Sequence, residues 1–472
     1  MNKVIHKSRF LLLIIILPAF LSISLDRGKV LAEENSSMAS VYLPNILVNF
    51  PPEIPSFGTQ VTPDRIHEVI DLMTEADLRW LRLNGINWDT IEPNRTNPPT
   101  YLWNSQMENK IKKASSNGLQ VIATLRYTPS WAQGDPPYAC GPIRQDALPA
   151  YAQYLNAMVR RYSQPPYNIR YWELGNEPDI DPDLGLDEHN PYGCWGDEDD
   201  DYYGGGYYAE MLKVAYPAIK AADPTAQVLI GGLLLNCDPT EETDCEPAKF
   251  FEGILRNEGG NFFDIVSFHG YPPFSSNLGG GLYYDEHHWN WASRGGVVLG
   301  KIDFLREVMA TYSLNKPIMH TEGSLICPDC ETPSAEFLEA QADYVVWLYV
   351  RNIAAGVKST IWYQFDGPGW RFGGMLDENQ EPKRAYWALD FLTEELAGAS
   401  YKSPVVQYPT LRGFEFRNSQ NRIWVLWSPD GESYTIDLPS GVQKVLDKYG
   451  VDITPSASEI SVKSPIYVEI LP

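Results

Sequence analysis

Eight short apolar runs between residues 56 and 365 constrain this chain more than any other feature. They are Ser56–Val61, Leu78–Gly85, Gln120–Tyr127, Ile169–Glu177, Gln227–Leu235, Asp264–Tyr271, Pro317–Glu322 and Thr360–Phe365. Their β-branched and aromatic content, with apolar residues on both sides of each run, suits parallel strands covered on both faces. The stretches between them have helical periodicity. Leu148, Tyr151, Leu155, Met158 and Tyr162 recur at three- and four-residue spacing behind a candidate cap at Asp146, and Phe337, Ala340, Tyr344, Trp347 and Leu348 follow Ser334 in the same way. Strand then helix, eight times over, predicts an α/β fold, a (β/α)8 TIM barrel over residues 53–398. An open doubly wound sheet is the alternative, but no Gly-x-Gly-x-x-Gly follows the first strand to support it.

Past residue 399 the texture changes to short strand-like segments, Gly413–Arg417, Arg422–Trp427, Tyr434–Asp437 and Ile466–Ile470, with Pro-Asp-Gly and Pro-Ser-Gly turns among them. This predicts a small C-terminal β-sandwich domain over residues 399–472, which at that size is expected to pack on the barrel. At the other end, Lys3, Lys7 and Arg9 precede an uncharged, mostly apolar run from Phe10 to Leu25, and Val30 and Ala32 stand at a cleavage-like spacing. Residues 1–32 therefore read as a secretory signal peptide, followed by a lead-in segment at 33–52. The apolar run is short for a bilayer needing about 20 residues, and no later segment is a candidate span. A secreted or extracytoplasmic protein (periplasm or cell surface) is expected, with no stable membrane insertion after signal removal.

Charge narrows the partners. The chain has 37 Lys and Arg against 61 Asp and Glu, a formal net charge of −24, and such a surface repels polyphosphate. Nucleic acid is excluded as a partner. In an oxidising compartment the six cysteines favour disulfides. Proximity pairs Cys237 with Cys245 and Cys327 with Cys330, leaving Cys140 with Cys194. Cys327-Pro-Asp-Cys330 also has zinc-ligand spacing, although no second Cys-x-x-Cys completes a tetrahedral set.

Reactive side chains of such barrels project from the C-terminal ends of the strands. Those ends carry Arg82 and Asn84, Arg126, Asn176 and Glu177, His269 and Tyr271, and Glu322. Two glutamates, on strands four and seven, would face each other across the barrel mouth. Glycosidic bond cleavage needs such a pair: one carboxyl protonated to donate to the leaving oxygen, one ionised to attack the anomeric carbon. A neighbouring negative charge raises the pKa of the acid and keeps it loaded. Glu173, a step of the pleat below the mouth, reads instead as half of a structural ion pair. Aromatic residues crowd the expected top loops (Trp131, Tyr138, Trp195, Tyr202, Tyr203, Trp289, Trp291 and Trp370), which fits a carbohydrate cleft.

Trp172-Glu173-Leu174-Gly175-Asn176-Glu177-Pro178-Asp179 resembles the Asn-Glu-Pro signature of the clan A retaining glycoside hydrolases, and Ile318-Met319-His320-Thr321-Glu322-Gly323 resembles their strand-seven nucleophile segment. The resemblance spans the barrel, and the trailing β-domain is similar to those of the xylosidase, iduronidase and cellulase-like branches. It implies Glu177 as acid/base, Glu322 as nucleophile, and Asn176 on the 2-hydroxyl of the sugar. It further implies Arg82 holding the nucleophile ionised, His269 and Tyr271 beside it, and Trp362 as the aromatic platform under the sugar. This sequence departs from the common pattern in having Arg126-Tyr127 where several families place a histidine, and Gly175 where Trp is frequent. The expected activity is exported, retaining cleavage of O-glycosidic bonds in an oligo- or polysaccharide by double displacement, with no organic cofactor and no metal. The alternative is a catalytically inactive carbohydrate-binding or surface scaffold protein on a glycosidase-like barrel.

Overall fold

The computed structural model describes residues 56–471 apart from residues 135–136, 181–191, 241–244, 276–284 and 287–289. The predicted signal peptide, the lead-in and Trp289 lie outside the described residues.

Eight parallel strands follow one another in sequence: β1 (Phe57–Gln60), β2 (Trp80–Asn87), β3 (Gln120–Arg126), β4 (Tyr171–Asn176), β5 (Gln227–Gly232), β6 (Val266–Gly270), β7 (Ile318–Gly323) and β8 (Thr360–Trp362). Each is succeeded by a principal helix: α1 (Ile66–Glu75), α2 (Ser105–Ser116), α3 (Leu148–Tyr162), α4 (Gly205–Ala222), α5 (Lys249–Arg256), α6 (Val297–Thr311), α7 (Ala335–Ala354) and α8 (Arg384–Glu395). The sheet order is β5-β4-β3-β2-β1-β8-β7-β6, and the parallel bridges Leu229–Ile265 and Leu233–Phe268 join β5 to β6, so the strands form a (β/α)8 barrel. All eight expected strands are present.

The pleat sorts the barrel interior into layers, because alternate residues of a strand face the axis. Trp80, Ile122, Leu229, Ile265, Met319 and Ile361 plug the lower end as one apolar cluster. Two residues further along the same strands the interior turns polar, with Arg82, Thr124, Glu173 and Ser267 all buried. The opposite faces pack on the helices. Ser334 caps α7 as expected, its Oγ accepting from the Phe337 amide at 3.1 Å. Asp146 does not cap α3. A short 3-10 turn (Gln145–Ala147) precedes that helix, Ala147 takes the cap position, and the Asp146 carboxylate pairs with Arg144 instead.

The C-terminal residues form two antiparallel sheets. One has the order β13-β15-β11-β10-β9 and the other pairs β12 with β14. Their strands are β9 (Ser400–Pro404), β10 (Arg412–Arg417), β11 (Arg422–Trp427), β12 (Tyr434–Asp437), β13 (Val442–Asp447), β14 (Glu459–Val462) and β15 (Ile466–Ile470). The domain packs on the barrel as its size predicts. Trp427 is fully buried between Phe414, stacked at 5.2 Å, and Trp347 of α7 at 5.6 Å. Arg412 clasps Glu286 in a bidentate pair, Nε at 3.2 Å and Nη2 at 2.7 Å. Lys448 is buried on Asp343 of α7. Among the described residues no helix is long and apolar enough to cross a membrane.

Trp427→Ala removes the side chain that both halves share, a loss of about 3–5 kcal/mol for a fully buried Trp. Denaturant unfolding should show the midpoint falling with barrel and β-domain still unfolding together; an unchanged midpoint would show that the contact contributes nothing.

Candidate active site

The Arg82 guanidinium lies at the centre of the polar layer, fully buried. Its Nε donates to Glu173 Oε2 at 2.7 Å, Nη1 to Gln60 Oε1 at 2.7 Å and to Glu322 Oε1, and Nη2 to Asn176 Oδ1 at 2.7 Å. Burial alone would disfavour its charge, but Glu173 and Glu322 outweigh that and hold it protonated. Glu173 is the structural member: Thr124 and Ser267 hydroxyls donate to it at 2.9 and 3.0 Å, so both its oxygens are committed beneath the mouth.

Glu322, near the end of β7, accepts from Arg82 through Oε1 and from the Tyr271 hydroxyl through Oε2. Both of its oxygens are thereby held by donors, which fixes the direction of the carboxyl group. Glu177 follows β4 on a kinked backbone, with φ of +103° at Gly175 and +50° at Glu177. The first explains why Gly stands at 175, and the second costs about 1–2 kcal/mol for a residue with a Cβ. The kink is held by the Glu177 amide donating to the Gly232 carbonyl at 2.9 Å, and by the Gly193 amide reaching the Glu177 carbonyl at 3.3 Å. The carboxyl points at His269, with 2.7 Å between Oε1 and Nδ1, and His269 Nδ1 lies 3.5 Å from Glu322 Oε2. One donor atom from each of Glu177, His269 and Glu322 lies within 4.8 Å of the others. That proximity matches the roughly 5–5.5 Å carboxyl separation of retaining hydrolysis better than the roughly 6.5–9.5 Å of inversion.

Burial is the leading reason that the Glu177 carboxyl is pushed up to about 7, partly offset by Arg82, Lys301 and Arg126. Desolvation, rather than the neighbouring negative charge expected from the sequence, leads the rise. Burial also lowers His269 to about 4, against the pull of Glu322, so its imidazole is neutral near pH 7. The His269 Nε2 faces the Cα of Gly232: a Cβ there would sit 2.1 Å away. The Glu177–His269–Glu322 trio is also the group of donors close enough to surround a cation among the described residues, although Arg82 and Tyr271 already hold both oxygens of Glu322.

Six of the seven residues singled out in the sequence (Arg82, Asn176, Glu177, His269, Tyr271 and Glu322) meet in this cluster. Trp362 does not join them. It is fully buried toward α7, 6.2 Å from the Tyr344 ring, and its indole N–H donates to the Gly373 carbonyl at 2.8 Å. The next residue, Tyr363, takes the mouth-facing place, edge-on to Tyr271 at 5.9 Å, and Tyr271 is edge-on to Trp370 at 5.4 Å. Trp370 is 46% exposed, so this aromatic row opens to solvent. Several other loop aromatics are anchors: Tyr203 and Trp291 are buried, and Trp131 donates to the Glu92 carbonyl at 3.0 Å, whereas Trp195, also buried, lines a small cavity with Arg126 and Asn176.

The three disulfides pair as expected, Cys140–Cys194, Cys237–Cys245 and Cys327–Cys330. The zinc reading of Cys327 and Cys330 is overturned, because their sulfurs are bonded to each other. Cys140–Cys194 fastens the loop after β3 to the loop that follows Glu177, and the Cys194 amide donates to the Cys140 carbonyl at 3.0 Å beside it.

An eight-stranded barrel with two glutamates at this spacing on β4 and β7 defines a retaining glycoside hydrolase. The chain belongs to the cellulase family, glycosyl hydrolase family 5, whose sequence model matches residues 49–299 and so includes every cluster residue except Glu322. No curated protein matches the chain. Solved structures share the fold. A family 39 glycoside hydrolase from the gut symbiont Bacteroides cellulosilyticus WH2 aligns with a TM-score of 0.64 at 18% identity, over 89% of this chain and 81% of that one. A monomeric β-xylosidase from Caulobacter crescentus CB15 aligns at 0.57 and 14% identity, over 89% and 96% of the two chains. A family 30 endoxylanase from Clostridium papyrosolvens C71 gives 0.54 and 14%, over 89% and 97%.

Gly232→Ala should displace His269 and with it Glu177. The expected result is a fall in kcat/KM on an activated glycoside of roughly tenfold or more, about 1.4 kcal/mol of transition-state stabilisation, with the far-UV circular dichroism unchanged. Parent-like kinetics would mean that the imidazole position is not critical.

Proposed function

We propose that this enzyme is exported and cleaves β-type, or equivalently equatorial, O-glycosidic bonds of an oligo- or polysaccharide, with Glu322 as nucleophile and Glu177 as acid/base. The observation that carries the reading is the convergence of the two carboxyl groups on His269 with Arg82 and Tyr271 committed to one of them. Glu322, aimed by its two donors, attacks the anomeric carbon as the carboxylate while Glu177, kept protonated by burial, donates to the departing oxygen. Covalent attachment of the sugar extinguishes the Glu322 charge. Arg82, Lys301 and Arg126 then act on Glu177 without that counter-charge, its proton affinity drops, and it draws a proton from the incoming water. Asn176 Oδ1 is taken by Arg82, which fixes the amide with its NH2 as the donor end for a sugar hydroxyl. Tyr363, Tyr271 and Trp370 offer apolar ring faces to the sugar.

Residues 1–32 are read as the cleaved leader, and export is supported by three disulfides, which persist in oxidising compartments. The family description puts β-linked glucans first in a substrate panel.

Glu177→Ala should lower turnover by about 10²–10⁴-fold, the usual worth of a positioned proton donor, and Glu322→Ala by at least as much, with azide restoring part of the loss. An activated 2-fluoro glycoside should label Glu322 in a peptide digest; a label elsewhere reassigns the nucleophile. Because the protonated form of Glu177 is the working acid, kcat/KM should decline as pH rises through about 7. A profile flat to pH 9 would contradict its role.

A further inference from the structure

In a β/α unit the helix runs antiparallel to the strand before it, so the first turns of α7 and α8 lie at the same end of the barrel as the catalytic carboxyl groups. There, on the outer rim, Glu339, Arg384, Trp387 and Tyr449 line an open pocket of about 620 Å³. Glu339 comes from α7, Arg384 and Trp387 from the first turn of α8, and Tyr449 from the turn after β13.

Two properties set this pocket apart. Trp387 is 50% exposed, yet it is braced edge-on against Tyr386 at 5.0 Å, and Tyr386 is itself buried and donates to the Leu72 carbonyl at 3.1 Å. A large rigid ring is thus presented to solvent. The polar groups beside it are fixed to one another: Arg384 pairs with Glu339, Lys448 reaches Glu339 at 2.5 Å and is anchored by Asp343, and the Tyr449 hydroxyl donates to Glu339 at 3.3 Å. Burial would raise the Glu339 carboxyl, but Lys448 and Arg384 outweigh it and hold the group below its usual range, ionised.

The charge balance selects the ligand. An anion would want uncompensated positive charge, and here Arg384 and Lys448 are answered by Glu339 and Asp343. A cation would have to displace Arg384 and Lys448 from Glu339. A purely apolar partner would strip water from the Arg384–Glu339 pair, whose side chains are 52% and 39% exposed, and offer no hydrogen bond in its place. A neutral ring with one apolar C–H face and hydroxyls around its edge satisfies both the indole and the ion-pair network.

We propose that this pocket is a second carbohydrate-binding site, separate from the catalytic carboxyl groups, that holds a sugar unit of a polymeric substrate against Trp387. It rests on the glycan-hydrolase reading above. In a Glu322→Gln background, native affinity electrophoresis through gels containing hydroxyethylcellulose, mixed-linkage β-glucan or xylan should retard the protein in at least one polymer. Adding Trp387→Ala should weaken that retardation at least threefold in apparent Kd. In the active enzyme, Trp387→Ala should raise KM on the retarding polymer several-fold while kcat/KM on a nitrophenyl glycoside stays within twofold. Retardation unaffected by Trp387→Ala, no retardation in any of the three polymers, or an equal loss on polymer and small glycoside overturns the proposal. The two readings fail separately: parent-level hydrolysis by Glu322→Gln removes the nucleophile assignment, whereas an inert Glu322→Gln protein indifferent to Trp387→Ala removes the second site alone.

Discussion

A single buried cation organises the barrel. Arg82 is the shared partner of Glu173 below it, Gln60 beside it, and Asn176 and Glu322 above it. Taking a guanidinium out of water costs several kcal/mol, and the arrangement holds only because four acceptors converge from three strands, β1, β4 and β7. The converse is stricter. Without Arg82, two carboxylates would remain buried with no cation bonded to them, and truncating one partner of such a pair costs about 3–5 kcal/mol. One residue therefore serves stability, by neutralising Glu173, and the geometry of the site, by holding one oxygen of Glu322 in place.

The two glutamates receive opposite treatment from one cluster. Glu322 is surrounded by donors, while Glu177 faces a neutral imidazole in a dry recess. Burial above all pushes the Glu177 carboxyl up to about 7, so solvation more than any neighbouring negative charge keeps its proton on. Gly232 supports the asymmetry from behind: any side chain there would collide with His269.

Much of this was legible in the sequence, for identifiable reasons. Strands buried on both faces are written as contiguous apolar runs, which is why β1 to β8 stood out. The edge strands β9, Ser400–Pro404, and β13, Val442–Asp447, and strand β14, Glu459–Val462, have largely exposed or half-exposed residues and no such run, and none of the three is legible in the sequence. Glu177 and Glu322 were marked by their strand positions. Trp362 was misplaced by one step of the pleat: Ile361 belongs to the interior plug, so its neighbour points outward to α7 and Tyr363 returns to the mouth. A one-residue shift exchanges the faces of a strand, and residue type alone does not reveal it. The kink at Gly175 and the reason for Gly232 were equally hidden, since each depends on a backbone or side chain brought near by the fold.

The bond between Cys140 and Cys194 ties the segment carrying the proton donor to the neighbouring loop. Strained backbone at position 177 persists only while its surroundings hold it, and this crosslink is part of that restraint. The hydrogen bonds of Glu177 to Gly232, Gly193 and His269 hold the position from the barrel side, and the disulfide adds a restraint from the loop side. The crosslink thus joins two top loops covalently where the barrel strands beneath them are joined only by hydrogen bonds.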